Sequence, residues 1–178
     1  MNLLSINDLS VKKVNHIFNL AAKIKNQGNI NVLNGRQFVL FFPESSLRTR
    51  ITFEKGIKAL GGEAMLFPPE SLDKREELED VIQYVSNWAD GVIVRHSDFS
   101  KIQELSRYST VPIINAMTSE NHPCEILSDL YSIREVKENY RDLVYTFVGP
   151  KSNISRSWKN IAEVMDLILI KFVSGVLS

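Results

Sequence analysis

The sequence has 178 residues, and its 21 lysines and arginines balance its 21 aspartates and glutamates, so the formal net charge is zero. This balance argues against a non-specific nucleic-acid or membrane surface, and any anion binding must be local. The single cysteine, Cys124, excludes an internal disulfide and fits a reducing compartment, which we expect to be the cytoplasm. No apolar run approaches the ~20 residues that span a bilayer.

Apolar runs with the spacing of strands alternate with runs that have the spacing of helices. We predict strands at 36–42, 63–67, 91–95 and 111–115, and helices at 11–25, 49–60, 78–88, 101–109 and 122–140. Gly28 and Asn29 are expected to end the first helix, and Ile82, Val85 and Trp88 to form a core stripe on the third. This alternation predicts an α/β fold in which a three-layer parallel sheet carries helices on both faces.

A second unit is predicted after the long fifth helix. Its elements are a strand at 143–148, a helix at 155–165 and a strand at 166–173. One βαβ unit buries little surface and is marginal by itself. We therefore expect one domain over 1–141 and the start of a second α/β domain over 142–178, with apolar surface exposed around Ile168, Ile170 and Phe172.

A hydroxyl-rich turn joins the first predicted strand to the second predicted helix. It has the sequence Ser-Ser-Leu-Arg-Thr-Arg over residues 45–50. Free N–H groups at the helix start, the positive end of the helix dipole, hydroxyl donors and a guanidinium fork favour a phosphate-type anion there. Arg48 and Arg50 oppose the dipole at a helix N-terminus unless an anion compensates them. For this stretch alone, the alternative is a solvated basic turn.

Three separated segments follow the carboxyl ends of predicted strands, where ligands of α/β sheets collect. They are residues 46–50, Arg95 and His122. We expect these segments to meet in one crevice. Taken singly, Arg95 would be a surface arginine and His122 a helix-capping or surface residue.

Two motifs resemble those of the aspartate and ornithine carbamoyltransferases. Residues 46–50, Ser-Leu-Arg-Thr-Arg, are similar to the family's Ser-Thr-Arg-Thr-Arg signature. Residues 122–129, His-Pro-Cys-Glu-Ile-Leu-Ser-Asp, are similar to its His-Pro-x-Gln-x-Leu-x-Asp motif. The resemblance extends to about residue 165. It implies a transferase with a carbamoyl-phosphate-binding domain, followed here by the start of an amino-acid-binding domain.

The resemblance also implies how the crevice would work. Carbamoyl phosphate would bind there, with its phosphate held by Ser46, Arg48 and Thr49. Arg95 would bind the phosphate and the carbonyl oxygen, and His122 would donate to that oxygen as negative charge develops during attack by an amine. All of these except Ser46 are the expected catalytic residues. No cofactor, metal or covalent intermediate is implied.

Two positions depart from the family pattern, and one arginine has a separate expected role. Leu47 stands where the family has Thr, so one hydroxyl donor to phosphate is missing while the backbone N–H remains. Glu125 replaces the Gln that contacts the carbamoyl amide. Its carboxylate can accept from that NH2 but adds repulsion near a phosphate unless a site arginine compensates it. Arg50 is expected to brace the turn through Glu54.

The charged loop at 71–75 lies where the family lends a serine and a lysine to a neighbouring subunit. The resemblance therefore implies a homotrimer in which Ser71 and either Lys74 or Arg75 complete a neighbour's substrate site. A solvated charged loop is the alternative for these residues.

The amino-acid substrate is expected to be ornithine or aspartate. Residues 153–158, Asn-Ile-Ser-Arg-Ser-Trp, resemble a segment of ornithine enzymes, with Asn153 as the expected substrate contact. Residues 5–10 and the Arg95-His96 pair look more like aspartate enzymes. We favour ornithine.

The sequence as a whole predicts a carbamoyltransferase-type polypeptide that binds carbamoyl phosphate but is impaired in transfer, because most of the amino-acid-binding domain is missing. The competing hypothesis is a non-catalytic carbamoyl-phosphate-binding or assembly module, or a remnant of a carbamoyltransferase. The retained residues Arg48, Thr49, Arg95 and His122 favour the first.

Overall fold

The computed structural model describes residues 2–28 and 30–174. Its helices are α1 (Val11–Gln27), α2 (Leu47–Ala59), α3 (Leu78–Ser86), α4 (Phe99–Tyr108), α5 (Pro123–Val136) and α6 (Asn153–Met165). Its strands are β1 (Gln37–Phe41), β2 (Glu63–Phe67), β3 (Gly91–Arg95), β4 (Ile113–Met117), β5 (Val144–Pro150) and β6 (Ile168–Ser174), and short 3-10 helices span Ile6–Asp8 and Pro69–Asp73. Gly28 follows α1 with a φ of +69°, whereas Asn29 and residues 175–178 lie outside the described residues.

The first four strands form one parallel sheet in the order β2-β1-β3-β4. Within it, Leu40 of β1 pairs with Leu66 on one side and Ile93 on the other. Alternate residues of β1 enter different cores, as the pleat requires. Val39 packs in a cluster with Ile102 of α4, and Leu40 in another with Ile57 of α2. The predicted three-layer α/β fold with a parallel sheet is confirmed.

The remaining strands, β5 and β6, form a separate parallel pair connected by α6. This small unit does not stand alone. Ile161 and Met165 of α6 share a buried cluster with Phe18 of α1 and with Ile126 and Leu130 of α5. Packing against α1 and α5 supplies the apolar burial that a lone βαβ unit lacks.

The outer face of β6 is apolar and open, as predicted. Ile168, Ile170 and Phe172 are 60%, 44% and 62% exposed. Over the described residues, no helix is both long and apolar enough to cross a membrane.

Several element boundaries differ from prediction for local reasons. Strand β4 begins at Ile113 rather than two residues earlier, because Pro112 has no N–H to donate to a ladder. Helix α5 ends at Val136 instead of near residue 140, since the next residue, Lys137, has extended backbone. Helix α6 starts before the predicted residue 155, because a capping box formed by Ser152 and Ser155 fixes its first turn.

The prediction that Trp88 lies in the core is wrong. Helix α3 stops at Ser86, so Trp88 follows the helix and leaves the apolar stripe. It is 64% exposed and lies beside Tyr84, with ring centroids 6.5 Å apart. Ile82, on the same predicted stripe, is fully buried as expected.

Candidate functional site

The carboxyl ends of β1, β3 and β4 lie along one edge of the sheet because the strands are parallel. Residues 46–50 follow β1, Arg95 ends β3 and His122 follows β4. This is the edge at which α/β sheets bind ligands. The topology thus brings together the segments that the sequence singled out.

The first turn of α2 is open for an anion. Ser46 is the N-cap but makes no side-chain cap, so the N–H groups of Leu47, Arg48 and Thr49 have no partner within the helix. The Ser46 hydroxyl is buried, and among the described residues it has no hydrogen-bond partner. Arg48 is exposed and Leu47 is 65% exposed. Unmet donors therefore collect at a helix N-terminus, where the dipole also favours negative charge.

Arg95 connects the end of β3 to this turn. Its Nη1 donates a hydrogen bond to Thr49 Oγ1 at 3.0 Å, and both side chains are partly buried. Arg50 instead donates from Nε to Glu54 Oε1 at 3.0 Å, so the expected brace is confirmed. The two arginines of the turn therefore differ, because Arg50 is paired along its own helix and Arg48 is exposed.

His122 is buried at the start of α5. Its backbone N–H donates to Ser157 Oγ at 2.9 Å, and its Nε2 lies 2.9 Å from Glu125 Oε2. Its Nδ1 is buried without a hydrogen-bond partner among the described residues. Burial lowers the pKa of His122, Glu125 opposes that shift, and the charge of Arg95 adds to it. Glu125 thus pairs with His122.

Polar side chains of α6 hold the loop that precedes His122. Asn153 Nδ2 donates to the Thr118 carbonyl at 2.7 Å. Arg156 donates to the carbonyls of Glu120 and Ser119 at 2.8 and 2.5 Å. The side chains of Asn153 and Arg156 are therefore engaged with backbone in this state.

The segment at 71–75 lies against the end of β3 and the start of α4. Ser71 is half-buried in the 3-10 helix, whereas Lys74 and Arg75 are exposed. Asp73 fixes this segment to the rest of the domain, because it accepts hydrogen bonds from Lys101 and from His96 Nε2. These hydrogen bonds and the Lys101 charge outweigh desolvation and hold the pKa of Asp73 below its usual range.

His96 is a structural residue that the sequence reasoning missed. It is buried, and its Nδ1 accepts the N–H of Asp98 at 3.0 Å, so Nε2 carries the proton that goes to Asp73. Its position next to Arg95 at a strand end was the available signal. An open cavity of about 290 Å³ borders these residues. It is lined in part by Glu70, Asp73, Arg95, His96, Met117 and Thr118.

Cys124 does not supply a nucleophile to this site. Burial raises the pKa of its thiol to about 12, and its Sγ contacts the Asn115 carbonyl at 3.4 Å. A thiol with that pKa is almost wholly protonated near neutral pH.

Comparison with known proteins identifies the family. Residues 1–135 match the model of the aspartate/ornithine carbamoyltransferase carbamoyl-P binding domain. The chain belongs to the aspartate/ornithine carbamoyltransferase family. The match covers the four-stranded sheet and nearly all of α5. It therefore includes every segment of the candidate site except α6.

Among the most similar curated relatives are ornithine carbamoyltransferases. The ornithine carbamoyltransferase of Syntrophotalea carbinolica is 35% identical over 169 residues, which cover 92% of this chain and 56% of the relative. That of Methanosphaera stadtmanae is 36% identical over 160 residues, covering 88% and 52%. The chain therefore spans about half the length of the curated relatives it matches.

Solved carbamoyltransferases share the fold. The ornithine carbamoyltransferase of Burkholderia thailandensis superposes with a TM-score of 0.88 at 31% identity, covering 96% of this chain and 61% of that one. The enzyme of Thermus thermophilus gives a TM-score of 0.88 at 25% identity, covering 98% and 62%. Since these shares are larger than residues 1–141, the similarity in fold extends into the βαβ unit.

Proposed function

We propose that this chain binds carbamoyl phosphate at the N-terminus of α2 and serves in transfer of its carbamoyl group to ornithine, a transfer that is impaired in the 178-residue chain by itself. The observation that carries the proposal is the hydrogen bond from Arg95 to Thr49, which holds a guanidinium against a helix start with unmet N–H donors. Membership of the carbamoyltransferase family and the ornithine specificity named for the relatives support it.

The phosphate would be bound by the first turn of α2. The N–H groups of Leu47, Arg48 and Thr49 would donate to its oxygens, as helix N-termini do for anions. The buried, unpartnered hydroxyl of Ser46 would gain an acceptor, and the exposed guanidinium of Arg48 could close over the phosphate as a two-donor fork.

The carbamoyl group would face Arg95 and His122. As an amine attacks the carbonyl carbon, negative charge grows on its oxygen, and N–H donors from these residues would stabilise that charge. Glu125 would accept from the carbamoyl NH2, in the role that the family gives to Gln. Catalysis would come from positioning and electrostatics. Collapse of the tetrahedral species would break the bond from carbon to the phosphate oxygen and leave the carbamoyl group on the amine nitrogen, and the departing phosphate would take up the proton that the amine loses.

The ornithine side of the site is proposed to lie toward α6. Residues 142–178 would begin the amino-acid-binding domain after a carbamoyl-phosphate-binding domain over 1–141, and Asn153 would contact the amino acid after releasing the Thr118 carbonyl. We further propose a cytoplasmic location, in keeping with a sequence that carries one cysteine.

A homotrimer is proposed to complete the site. Asp73 anchors the 3-10 helix, while Lys74 and Arg75 extend from it into solvent, free to reach a neighbouring chain together with Ser71. Light scattering should give a mass three times that of the chain. A monomer at every concentration would contradict a role for Lys74 or Arg75 in a neighbour's site.

Calorimetry with carbamoyl phosphate tests the binding proposal. Wild type should bind, and added salt should weaken binding because charge contacts dominate the site. Arg48→Ala should lose at least about tenfold in affinity, since a hydrogen bond to a charged group contributes roughly 1.5–3 kcal/mol. Arg50→Ala is the matched control, because its partner is Glu54, and it should bind like wild type. Equal affinity in wild type and Arg48→Ala would contradict the assignment.

A binding module without transfer activity is the second candidate function. The observation that favours it is the engagement of Asn153 and Arg156 with backbone carbonyls of the loop before His122. Under this alternative, the chain binds carbamoyl phosphate but forms no citrulline when ornithine is added.

A further inference from the structure

The β5–β6 pair has one covered face and one open face. Its strands pair in parallel, and successive side chains of each strand alternate between the two faces. Tyr145 and Leu169 belong to the face that packs on α6, where the ring of Tyr145 lies 5.5 Å from that of Trp158. The opposite face, called the outer face below, consists of eight exposed residues: Val144, Thr146, Val148 and Pro150 of β5, and Ile168, Ile170, Phe172 and Ser174 of β6.

The outer face carries no charged side chain. Six of its residues are apolar, and the other two, Thr146 and Ser174, bear hydroxyl groups. Val148 and Phe172 are neighbours across the two strands and are 74% and 62% exposed. Together the apolar side chains expose roughly 500 Å² of surface, a size at which patches on soluble proteins mark interaction sites.

The parallel arrangement of the strands is a second reason to expect that this face is covered. Parallel sheets almost always have both faces packed. The four-stranded sheet obeys this rule, because Val39 and Leu40 of β1 enter different clusters, one with α4 and one with α2. The β5–β6 pair has α6 on one side, whereas every residue of its outer face is exposed.

A second copy of the chain fits the outer face. Two sheets pack with their side chains interdigitated and their faces about 10 Å apart. Because the outer face is uncharged, no like charges meet when it packs on itself. A two-fold axis across the strands at the Thr146–Ile170 pair would bring Ile170 of both copies together and place Phe172 of each copy over the smaller Val144 of the other.

The available area is enough for a specific but weak contact. Two outer faces packed together would bury about 1,000 Å² in total, which is the lower limit for a specific interface. A two-fold contact is closed, so it joins two faces and then stops. We therefore expect an association that depends on protein concentration and does not grow further.

We propose that the outer face of the β5–β6 pair binds the same face of a second copy of this chain through a two-fold sheet-on-sheet contact. The surface belongs to different elements from the carbamoyl phosphate site and from the 71–75 segment, so the inference does not rest on the proposed function. At concentrations where this contact dissociates, the mass is the one set by the 71–75 segment. Association through the outer face doubles that mass.

Light scattering over a range of protein concentrations tests the contact. The mass of wild type should rise to twice that of Phe172→Asp, because the variant places like charges in an apolar contact. Phe172 is 62% exposed, so its replacement should leave the melting temperature of the dissociated protein unchanged. Val32→Asp is the matched control, because Val32 is 55% exposed in the turn before β1, and it should associate like wild type.

A charge exchange at the two-fold axis distinguishes a second copy from any other partner. Ile170→Asp and Ile170→Lys should each keep the lower mass when measured alone. An equimolar mixture of the two proteins should recover the doubled mass, because opposite charges then meet at the axis. Only a contact between the outer faces of two copies gives this recovery.

The outcomes decide the inference. Equal masses of wild type and Phe172→Asp at every concentration would overturn it and leave the outer face to a different polypeptide. Growth of wild type beyond a doubled mass would contradict a closed two-fold contact. Failure of the Ile170→Asp and Ile170→Lys mixture to associate, when each protein melts like wild type, would also overturn the contact.

Discussion

The backbone N–H of His122 donates a hydrogen bond to Ser157 Oγ at 2.9 Å, and both residues are buried. Ser157 belongs to α6, whereas His122 begins α5 beside the four-stranded sheet. The contact therefore joins the βαβ unit to the candidate site, and it satisfies one of the N–H groups at a helix start. The position of His122 depends on a residue 35 positions away in the sequence.

Replacing Ser157 by Ala tests this dependence. The His122 N–H would remain buried without an acceptor, which costs roughly 1–3 kcal/mol. We expect urea denaturation to show a loss of stability in that range, together with weaker carbamoyl phosphate binding. Ser128→Ala is the control, because Ser128 is exposed and bonds only within α5. A Ser157→Ala protein with wild-type stability and affinity would show that the contact is dispensable.

Leu47→Thr should strengthen the anion site. Leu47 occupies the first helical position of α2 and is 65% exposed, so a smaller polar side chain fits there without leaving a cavity. A new hydroxyl donor to the phosphate is worth roughly 1.5–3 kcal/mol, or about ten- to a hundredfold in affinity. Calorimetry would measure this gain. Leu47→Ala separates the hydroxyl from the loss of the apolar side chain, and an equal gain in Leu47→Ala would contradict the prediction.

The order of elements and the site segments could be predicted because they follow from local patterns. The strand ends before Ser46, Arg95 and His122 are marked by buried runs, and parallel topology then brings such ends to one edge. The Arg50–Glu54 pair was predictable for a similar reason, because residues four apart on a helix face each other.

Other features depend on contacts between distant residues, which one sequence does not reveal. Trp88 was wrongly predicted to lie in the core because no strong helix-breaking residue marks the end of α3 at Ser86. The tether from His96 to Asp73 spans 23 residues, and the bond from Ser157 to His122 spans 35. The pairing of Glu125 with His122 required knowing which rotamers the packed site allows.

Stability should depend on pH through His122. Its pKa is lowered in the folded state, mainly by burial, from an ordinary value of 6.5. The unfolded chain therefore binds more protons between the two pKa values. The free energy of unfolding should be highest above pH 6.5 and should fall as pH drops toward the folded pKa, by at most about 1.4 kcal/mol per pH unit.

Urea titrations at a series of pH values would measure this dependence. His122→Asn should remove the contribution of His122 to the pH dependence of the free energy of unfolding below pH 6.5. His16→Asn is the control for the substitution itself, because His16 is exposed on α1. An identical slope in wild type and His122→Asn would contradict burial of a neutral imidazole.

Turnover by the 178-residue chain should be very slow or absent. Holding an amine about 3 Å from the carbamoyl carbon contributes several kcal/mol to catalysis, and Asn153 and Arg156 are engaged with backbone instead. With carbamoyl phosphate and ornithine present, we expect a trace of citrulline at most. Rapid formation of citrulline that disappears in His122→Ala would show that this chain is sufficient for transfer.

The most direct measurement of the central claim is an amide NMR titration with carbamoyl phosphate. The N–H groups of Leu47, Arg48 and Thr49 have no acceptor within α2, so a phosphate at the helix start should shift these three signals most strongly. The Arg95 side-chain N–H signals should move with them. Shifts confined to other parts of the chain, or an unchanged spectrum at saturating ligand, would contradict a carbamoyl phosphate site at the N-terminus of α2.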